Sequence, residues 1–175
     1  FIVGFDNDTP SIFQRQIDFI QKTGIVTAMV GLLQAPTGTR LYERLKKEGR
    51  LLGRMTGDNA DGSTNIIPNN MDADTCREGY KTILKHIYSP ENYYNRIMTL
   101  FKEYKSPTIK GTIKFEHIVG LVNSIYHLGI FGKERVQFWR LLLWTSLHRR
   151  DLFPLAVTLA VYGYHFRRVS ELHVL

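Results

Sequence analysis

The sequence FIVGFDNDTP, residues 1–10, joins a short apolar run to a polar turn and then to a helix start. Thr9 is a residue type favoured at an N-cap, and Pro10 suits the first helical position because its missing N–H would have no intrahelical partner there. Apolar residues recur at helical spacing up to Lys22, and Gly24 stands where a C-cap glycine belongs. The stretch predicts a strand over 1–5 and a helix over 10–22.

Residues 25–33 are nine consecutive positions without a charge, which is typical of a strand buried on both faces of a parallel sheet. Residues 34–38 break this run, and residues 39–48 predict a second helix. The order β-α-β-α requires a parallel sheet with a right-handed crossover. Two strands are too few for a stable sheet, so we expect the rest of it upstream.

The second half of the chain is helical in pattern from Met71 onward, with five predicted helices. They cover about 72–88, 90–105, 113–130, 133–148 and 154–169. Tyr88 and Tyr93 flank the start of the second one as a hydrophobic staple would. The predicted fold class is α/β followed by all-α, with an α/β part over 1–53, a loop or linker over 54–70 and an all-helical domain of about five helices over 71–175.

Composition and charge limit the class of protein. Hydrophobic residues make up 43% and charged residues 22%, which is typical of a folded chain rather than a disordered one. The chain starts at Phe1 inside a predicted strand and shows no signal peptide, so we expect a fragment of a cytoplasmic protein. The net charge is +7 and falls mostly in residues 71–175. Such a basic region could bind nucleic acid, an anionic membrane or an acidic substrate. No Lys/Arg run exceeds two, so a solvated helical surface is favoured and a nucleic-acid partner is not.

Several kinds of site are excluded by the residues themselves. Cys76 is the single cysteine, so neither a disulfide framework nor a cysteine-based zinc or cluster site fits within the chain. The sequence has no P-loop, GxSxG or HExxH motif. Aligning Gly62 with the turn glycine of a calcium loop puts Pro68 at the position of the bidentate acid, so that motif fails. We predict no metal site and no catalytic acid–base residue in this chain.

The remaining candidates lie in loops and at strand ends. The predicted strands end at Gly4 and at Leu33, where a glycine and a polar turn allow a ligand to approach the backbone. The loop over 56–70 could cover a site, with Asn59, Thr64 and Asn65 as candidate substrate contacts. Plain strand-to-helix turns and a plain linker are the alternatives.

The uncharged stretch over 152–166 is too short to cross a bilayer, which takes about 20 residues. It predicts a buried core helix. The alternative is a helix lying in a membrane surface, with Arg167 and Arg168 at the headgroups.

Two segments resemble a known superfamily. Residues 2–9, IVGFDNDT, are similar to the fifth-strand run I-V-G-F-P-G-E-T of radical S-adenosylmethionine enzymes, and residues 28–39, AMVGLLQAPTGT, resemble the sixth strand with its P-G-T turn. Residues 65–68, 88–94 and 155–166 resemble a C-terminal helical domain of cobalamin-binding members. Some of those relatives methylate hopanoids or other hydrophobic rings.

The resemblance implies a partial (β/α) barrel, of which this chain would hold the last units. An upstream C-x-x-x-C-x-x-C loop would bind a [4Fe–4S] cluster that cleaves S-adenosylmethionine to a 5′-deoxyadenosyl radical. An upstream domain would bind cobalamin, the methyl donor. By match to the family, Ile2 and Gly4 pack on adenine, while Leu32 and Leu33 belong to the stretch whose backbone reads the adenine edge. Residues 6–8, DND, replace P-G-E, and without the cluster cysteines the fragment alone is expected to be inactive.

Implied partners are the upstream part of the same polypeptide and a small hydrophobic substrate. The competing hypothesis is a non-catalytic helical module that binds a protein or a membrane surface. Exposed aromatic side chains would favour the module and buried ones the enzyme. The side chains that discriminate are Tyr93, Tyr94, Trp139 and Trp144.

Overall fold

Helices dominate the structure, a computed structural model that describes residues 1–53, 55, 57, 62–105 and 115–174. The elements in chain order are β1 (Ile2–Val3), α1 (Ser11–Thr23), β2 (Gly31–Leu32), α2 (Arg40–Lys47), α3 (Ala73–Ile87), α4 (Pro90–Glu103), α5 (Phe115–Ser124), a π-helical segment (Ile125–Ile130), α6 (Arg135–His148), a 3-10 turn (Arg150–Leu152) and α7 (Phe153–His173). The expected all-α character of the second half is confirmed.

The sheet consists of β1 and β2, which run parallel, and no further strand joins them among the described residues. Gly31 N–H donates to Phe1 O over 3.0 Å, and Leu33 N–H donates to Val3 O over 2.8 Å. The nine-residue strand predicted over 25–33 is therefore wrong in length. A strand exists only where a neighbour accepts its ladder hydrogen bonds, and β1 offers two residues. A barrel is not confirmed.

Helix boundaries follow the local capping signals. Thr39 Oγ1 accepts from Tyr42 N–H over 3.2 Å at the start of α2. Asp72 Oδ1 accepts from Thr75 N–H over 2.6 Å at the start of α3. These side chains satisfy N–H groups that have no intrahelical acceptor. The predicted staple is confirmed, because the rings of Tyr88 and Tyr93 lie 6.1 Å apart.

Contacts divide the chain into two compact units. The first unit contains residues 1–19, 28–87 and 168–175, and the second contains 20–27 and 88–167. Helix α3, predicted to open the all-helical domain, belongs to the first unit. Domain boundaries at 53 and 70 stay a prediction.

The first unit has its core where α1 and α3 meet the sheet. Its buried side chains include Val3, Phe13, Ile17, Leu32, Tyr80 and Ile83. The Phe13 ring lies directly against Gly79 of α3, where a Cβ atom would overlap the ring. Gly79 therefore sets how closely α1 and α3 approach each other.

The second unit is built around α4. Tyr93 Oη donates to Leu159 O over 2.8 Å. Arg96 is fully buried and donates to Ile25 O over 2.9 Å and to Gln21 Oε1 over 2.9 Å. Burial lowers the pKa of its guanidinium to about 10, which leaves it charged at neutral pH. Arg96 thus holds residues 20–27 against α4 through the backbone carbonyl oxygen of Ile25 and the side-chain amide oxygen of Gln21.

We expect Gly79→Ala to lower the free energy of unfolding by about 1–3 kcal/mol, because the added methyl group must displace the Phe13 ring. Chemical denaturation of the two proteins measures the difference. Gly120→Ala is the matched control, since a Cβ at Gly120 of α5 meets nothing within 4 Å. That control should be neutral or slightly stabilising, and equal effects of both substitutions would contradict the packing argument.

Candidate functional site

The turn after β1 is held by a carboxylate. Asp8 Oδ2 accepts from the N–H groups of Gly4 and Phe5, each over 2.9 Å. Through these two hydrogen bonds the Asp8 carboxylate stabilises the turn. Asp8 stands where the family run has glutamate. Gly4 has φ +103°, and a Cβ there would lie 3.5 Å from Cys76 Sγ and 3.6 Å from Leu33 Cβ. Glycine at this position allows α3 and the end of β2 to approach the strand closely.

Pairing of β1 with β2 brings together all four residues predicted to contact the cofactor. Ile2 is 47% exposed, Leu32 is buried and Leu33 is partly buried. Leu33 already uses both of its backbone groups, since its N–H donates to Val3 O and its carbonyl oxygen accepts from Thr64 Oγ1 over 2.7 Å. Alternate residues of a parallel strand bond in opposite directions, so the backbone of Leu32 faces the other edge of β2. Of the two leucines, Leu32 is better placed to offer backbone atoms to a ligand.

The loop that follows α2 is bound to the end of β2. Asn65 is 3% exposed, its Oδ1 accepts from Ala35 N–H over 2.8 Å, and its Nδ2 donates to Ala35 O over 2.9 Å. Gln34 Nε2 donates to Ser63 O over 3.2 Å. This bonding favours a positioning role for Thr64 and Asn65 over direct contact with a substrate. The third candidate of this loop, Asn59, lies outside the described residues.

An ion-pair network that the sequence did not reveal joins the same turn to α2. Asp6 pairs with Arg44 over 2.7 Å and with Arg50 over 2.8 Å, and Arg50 also pairs with Glu48 over 2.8 Å. Asn70 Nδ2 donates to Asp6 O over 2.8 Å. The hydrogen bond from Arg50 holds the pKa of the Asp6 carboxyl below its usual value. The sequence held one signal of this network, which is that Asp6 stands where the family run has proline.

The described residues do not fit an iron–sulfur cluster. Burial raises the pKa of the Cys76 thiol to about 11, so it is neutral at pH 7, whereas a metal ligand must be a thiolate. No group of three or more potential metal ligands occurs within the described ranges. At the strand end, the exposed side chains of Ile2 and Phe5 present an apolar surface.

The aromatic side chains of the second unit do not all favour the same hypothesis, the enzyme or the non-catalytic module. Tyr93 and Tyr94 are buried, Trp139 is 40% exposed and Trp144 is half-buried and stacked on His148. Burial of the tyrosines favours the enzyme hypothesis, and exposure of Trp139 favours the module.

The membrane alternative for residues 152–166 stays a prediction, but one of its two arginines is engaged elsewhere. Arg167 donates to both carboxylate oxygens of the buried Glu134, over 2.6 and 3.1 Å, so it does not point to headgroups. Leu152, Ala156 and Ala160 are buried as well. Within the described part of the chain, no helix combines the length and apolarity needed to cross a bilayer.

Comparison with known proteins identifies the family. Residues 39–174 match the model of a domain of unknown function, DUF4070. An uncharacterized methyltransferase of Synechocystis sp. is 30% identical over 98% of the chain and 33% of its own length. A hopanoid C-2 methylase of Rhodopseudomonas palustris is 28% identical over 91% of the chain and 31% of its own length. No solved structure matches.

The match to this helical family and the names of the two relatives support the resemblance to the C-terminal region of cobalamin-binding radical S-adenosylmethionine proteins. The chain belongs to the DUF4070 family. It spans about a third of the length of the curated relatives that it matches.

We expect Asn65→Ala to lower the free energy of unfolding by about 2–4 kcal/mol, because two buried backbone groups of Ala35 lose their partners. Denaturant titration measures the loss. Asn69→Ala is the control, since Asn69 is exposed in the same loop, and it should change stability by less than about 0.5 kcal/mol. A loss confined to activity, with unchanged stability, would refute the positioning role.

The Asp6 network predicts a pH-dependent contribution to stability. Its folded-state pKa is lowered, so the contribution is fully present above the usual aspartate pKa of about 3.9 and is lost as the pH falls through the lowered value. Asp6→Asn should therefore lower the thermal midpoint at neutral pH, and the difference from wild type should shrink in acid. Asp18→Asn is the matched control, because it changes an exposed carboxylate outside this network that accepts a hydrogen bond from Gln14. If the difference in thermal midpoint from wild type varied with pH in the same way for both variants, the assignment of this contribution to Asp6 would be contradicted.

Proposed function

We propose that this chain is the part of a radical S-adenosylmethionine methyltransferase that completes the adenine-binding edge of its barrel and carries a helical region. The observation that carries the proposal is the pairing of β1 with β2, which gathers Ile2, Gly4, Leu32 and Leu33 at one sheet edge. The names of the two relatives, a methyltransferase and a methylase, support methyl transfer as the reaction. The proposed substrate is a small hydrophobic molecule with an unactivated carbon.

Each residue of the edge has a distinct role in this proposal. Ile2 provides an apolar surface for one adenine face, and Gly4, at φ +103°, lets the backbone turn at the strand end while Cys76 and Leu33 pack against it. Leu32 offers backbone hydrogen-bonding atoms on the free edge of β2. Asp8 and Asn65 do not contact the cofactor; they hold the two strand ends in place through backbone hydrogen bonds.

The reactive groups belong to the upstream part of the same polypeptide in this proposal. When bound, the [4Fe–4S] cluster supplies the electron that cleaves S-adenosylmethionine, and cobalamin supplies the methyl group. The neutral Cys76 thiol is not a cluster ligand. The chain alone should therefore produce no 5′-deoxyadenosine.

The test uses the full-length protein, purified without oxygen and with its cluster reconstituted. Incubation with dithionite and S-adenosylmethionine should yield 5′-deoxyadenosine. Ile2→Ala should raise the KM for S-adenosylmethionine about fivefold to tenfold, because about 1 kcal/mol of apolar contact with adenine is lost. Its kcat should change less than its KM, since the contact is made in both ground and transition states.

Met29→Ala is the matched control, because Met29 is 78% exposed in the residues before β2 and has no proposed contact with the cofactor. It should leave the KM unchanged. Absence of 5′-deoxyadenosine despite full cluster loading would refute the radical enzyme. Production with an unaffected Ile2→Ala variant would instead refute only the adenine contact.

The second candidate function is a helical interaction module without chemistry of its own. The exposed indole of Trp139 favours it, whereas the buried rings of Tyr93 and Tyr94 do not. An inactive but fully cluster-loaded parent would move this candidate to first place.

A further inference from the structure

Helix α6 is apolar on two opposite faces, of which one is buried. Phe138, Leu141 and Leu142 lie in the core of the second unit. The other face carries a stripe of exposed side chains at spacings of three and four residues, and we call it the outer face of α6. It consists of Val136, Trp139, Leu143 and Leu147. An exposed apolar stripe on a folded chain marks a surface that meets a partner.

Helix α5 and the π-helical segment carry further exposed apolar side chains. Their exposed apolar side chains are Phe115, Ile118, Val119, Val122, Tyr126 and Ile130. The π-helical segment packs on α6, because Trp139 Nε1 donates to Gly129 O over 3.0 Å. A π-helical turn is rare and often occurs at functional positions. With ten residues, α5 is too short to cross a bilayer.

The charge around the outer face is positive. Helix α6 contains no acidic residue, and its exposed Arg135 and Arg140 have no carboxylate partner among the described residues. The nearest acids in sequence are already used, since Glu134 binds Arg167 and Asp151 binds Arg149. Residues 115–167 hold six Lys and Arg against three Asp and Glu. Such a surface is complementary to an anionic one.

We propose that the outer face of α6, together with α5 and the π-helical segment, docks on an anionic lipid bilayer and lies in its headgroup region. Aliphatic side chains would enter the acyl boundary, while the indole of Trp139 and the phenol of Tyr126 would sit at the interface, where aromatic residues with a polar tip are enriched. Arg135 and Arg140 would meet lipid phosphates. A protein partner would not need an acid-free helix, so the charge favours a lipid surface. The proposal does not depend on the chemistry of the full-length enzyme.

The test is co-sedimentation of the full-length protein with phosphatidylcholine vesicles that contain or lack phosphatidylglycerol. The protein should bind the anionic vesicles, and added salt should weaken binding. Arg135→Gln with Arg140→Gln should reduce the partition constant about fivefold per removed charge. Leu143→Glu should reduce it at least about tenfold, because a charge would then enter the apolar boundary. Leu147→Glu, at a still more exposed position, provides a second variant if the first one folds poorly.

Met29→Glu is the control, since it adds the same charge at an exposed apolar position of the first unit and should leave vesicle binding unchanged. Tryptophan emission should move to shorter wavelength on binding, and Trp139→Phe should remove this shift. Absence of vesicle binding by folded wild-type protein would overturn the proposal. Self-association that Leu143→Glu abolishes, with no lipid binding, would assign the surface to a second copy of the chain instead.

Discussion

The first unit depends on how the buried backbone groups just beyond β2 find hydrogen-bond partners. Ala35 is fully buried and lies past the last ladder hydrogen bond, so its N–H and C=O need partners that no strand supplies. Asn65 supplies both from a loop thirty residues further along. Because of these two hydrogen bonds, Ile66 reaches the small core formed with Ala35 and Leu45. A sheet of two residues per strand is thus held by side chains more than by its own ladder.

The same principle operates at the end of β1. Asp8 accepts the two N–H groups of Gly4 and Phe5, and Asp6 ties the turn to Arg44 and Arg50. Both carboxylates are thus engaged in holding the turn. The strand ends therefore combine an anchored backbone with exposed apolar side chains.

In the second unit, a buried and a mostly buried arginine side chain hold neighbouring segments together. Arg96 binds the segment over 20–27, and Arg167 neutralises the buried Glu134. Removing one partner of such a pair leaves a buried charge without compensation, so these contacts restrict the packing of α4, α6 and α7. The guanidinium groups of both arginines are engaged inside the unit.

Among the described residues, the sequence by itself located the seven α-helices but not the π-helical segment or the 3-10 turn. Caps, glycines and a 3.6-residue period are local signals that each segment carries alone. It also indicated the family and the four residues at the strand ends, since short motifs preserve their spacing. Only the tertiary structure decided the length of β2, which depends on its neighbour, and the bonding of Asn65, whose partner Ala35 is thirty residues away. It likewise decided which apolar side chains of α6 and α7 are exposed and which are buried. Both helices are apolar in composition, and which face is buried depends on what packs against it.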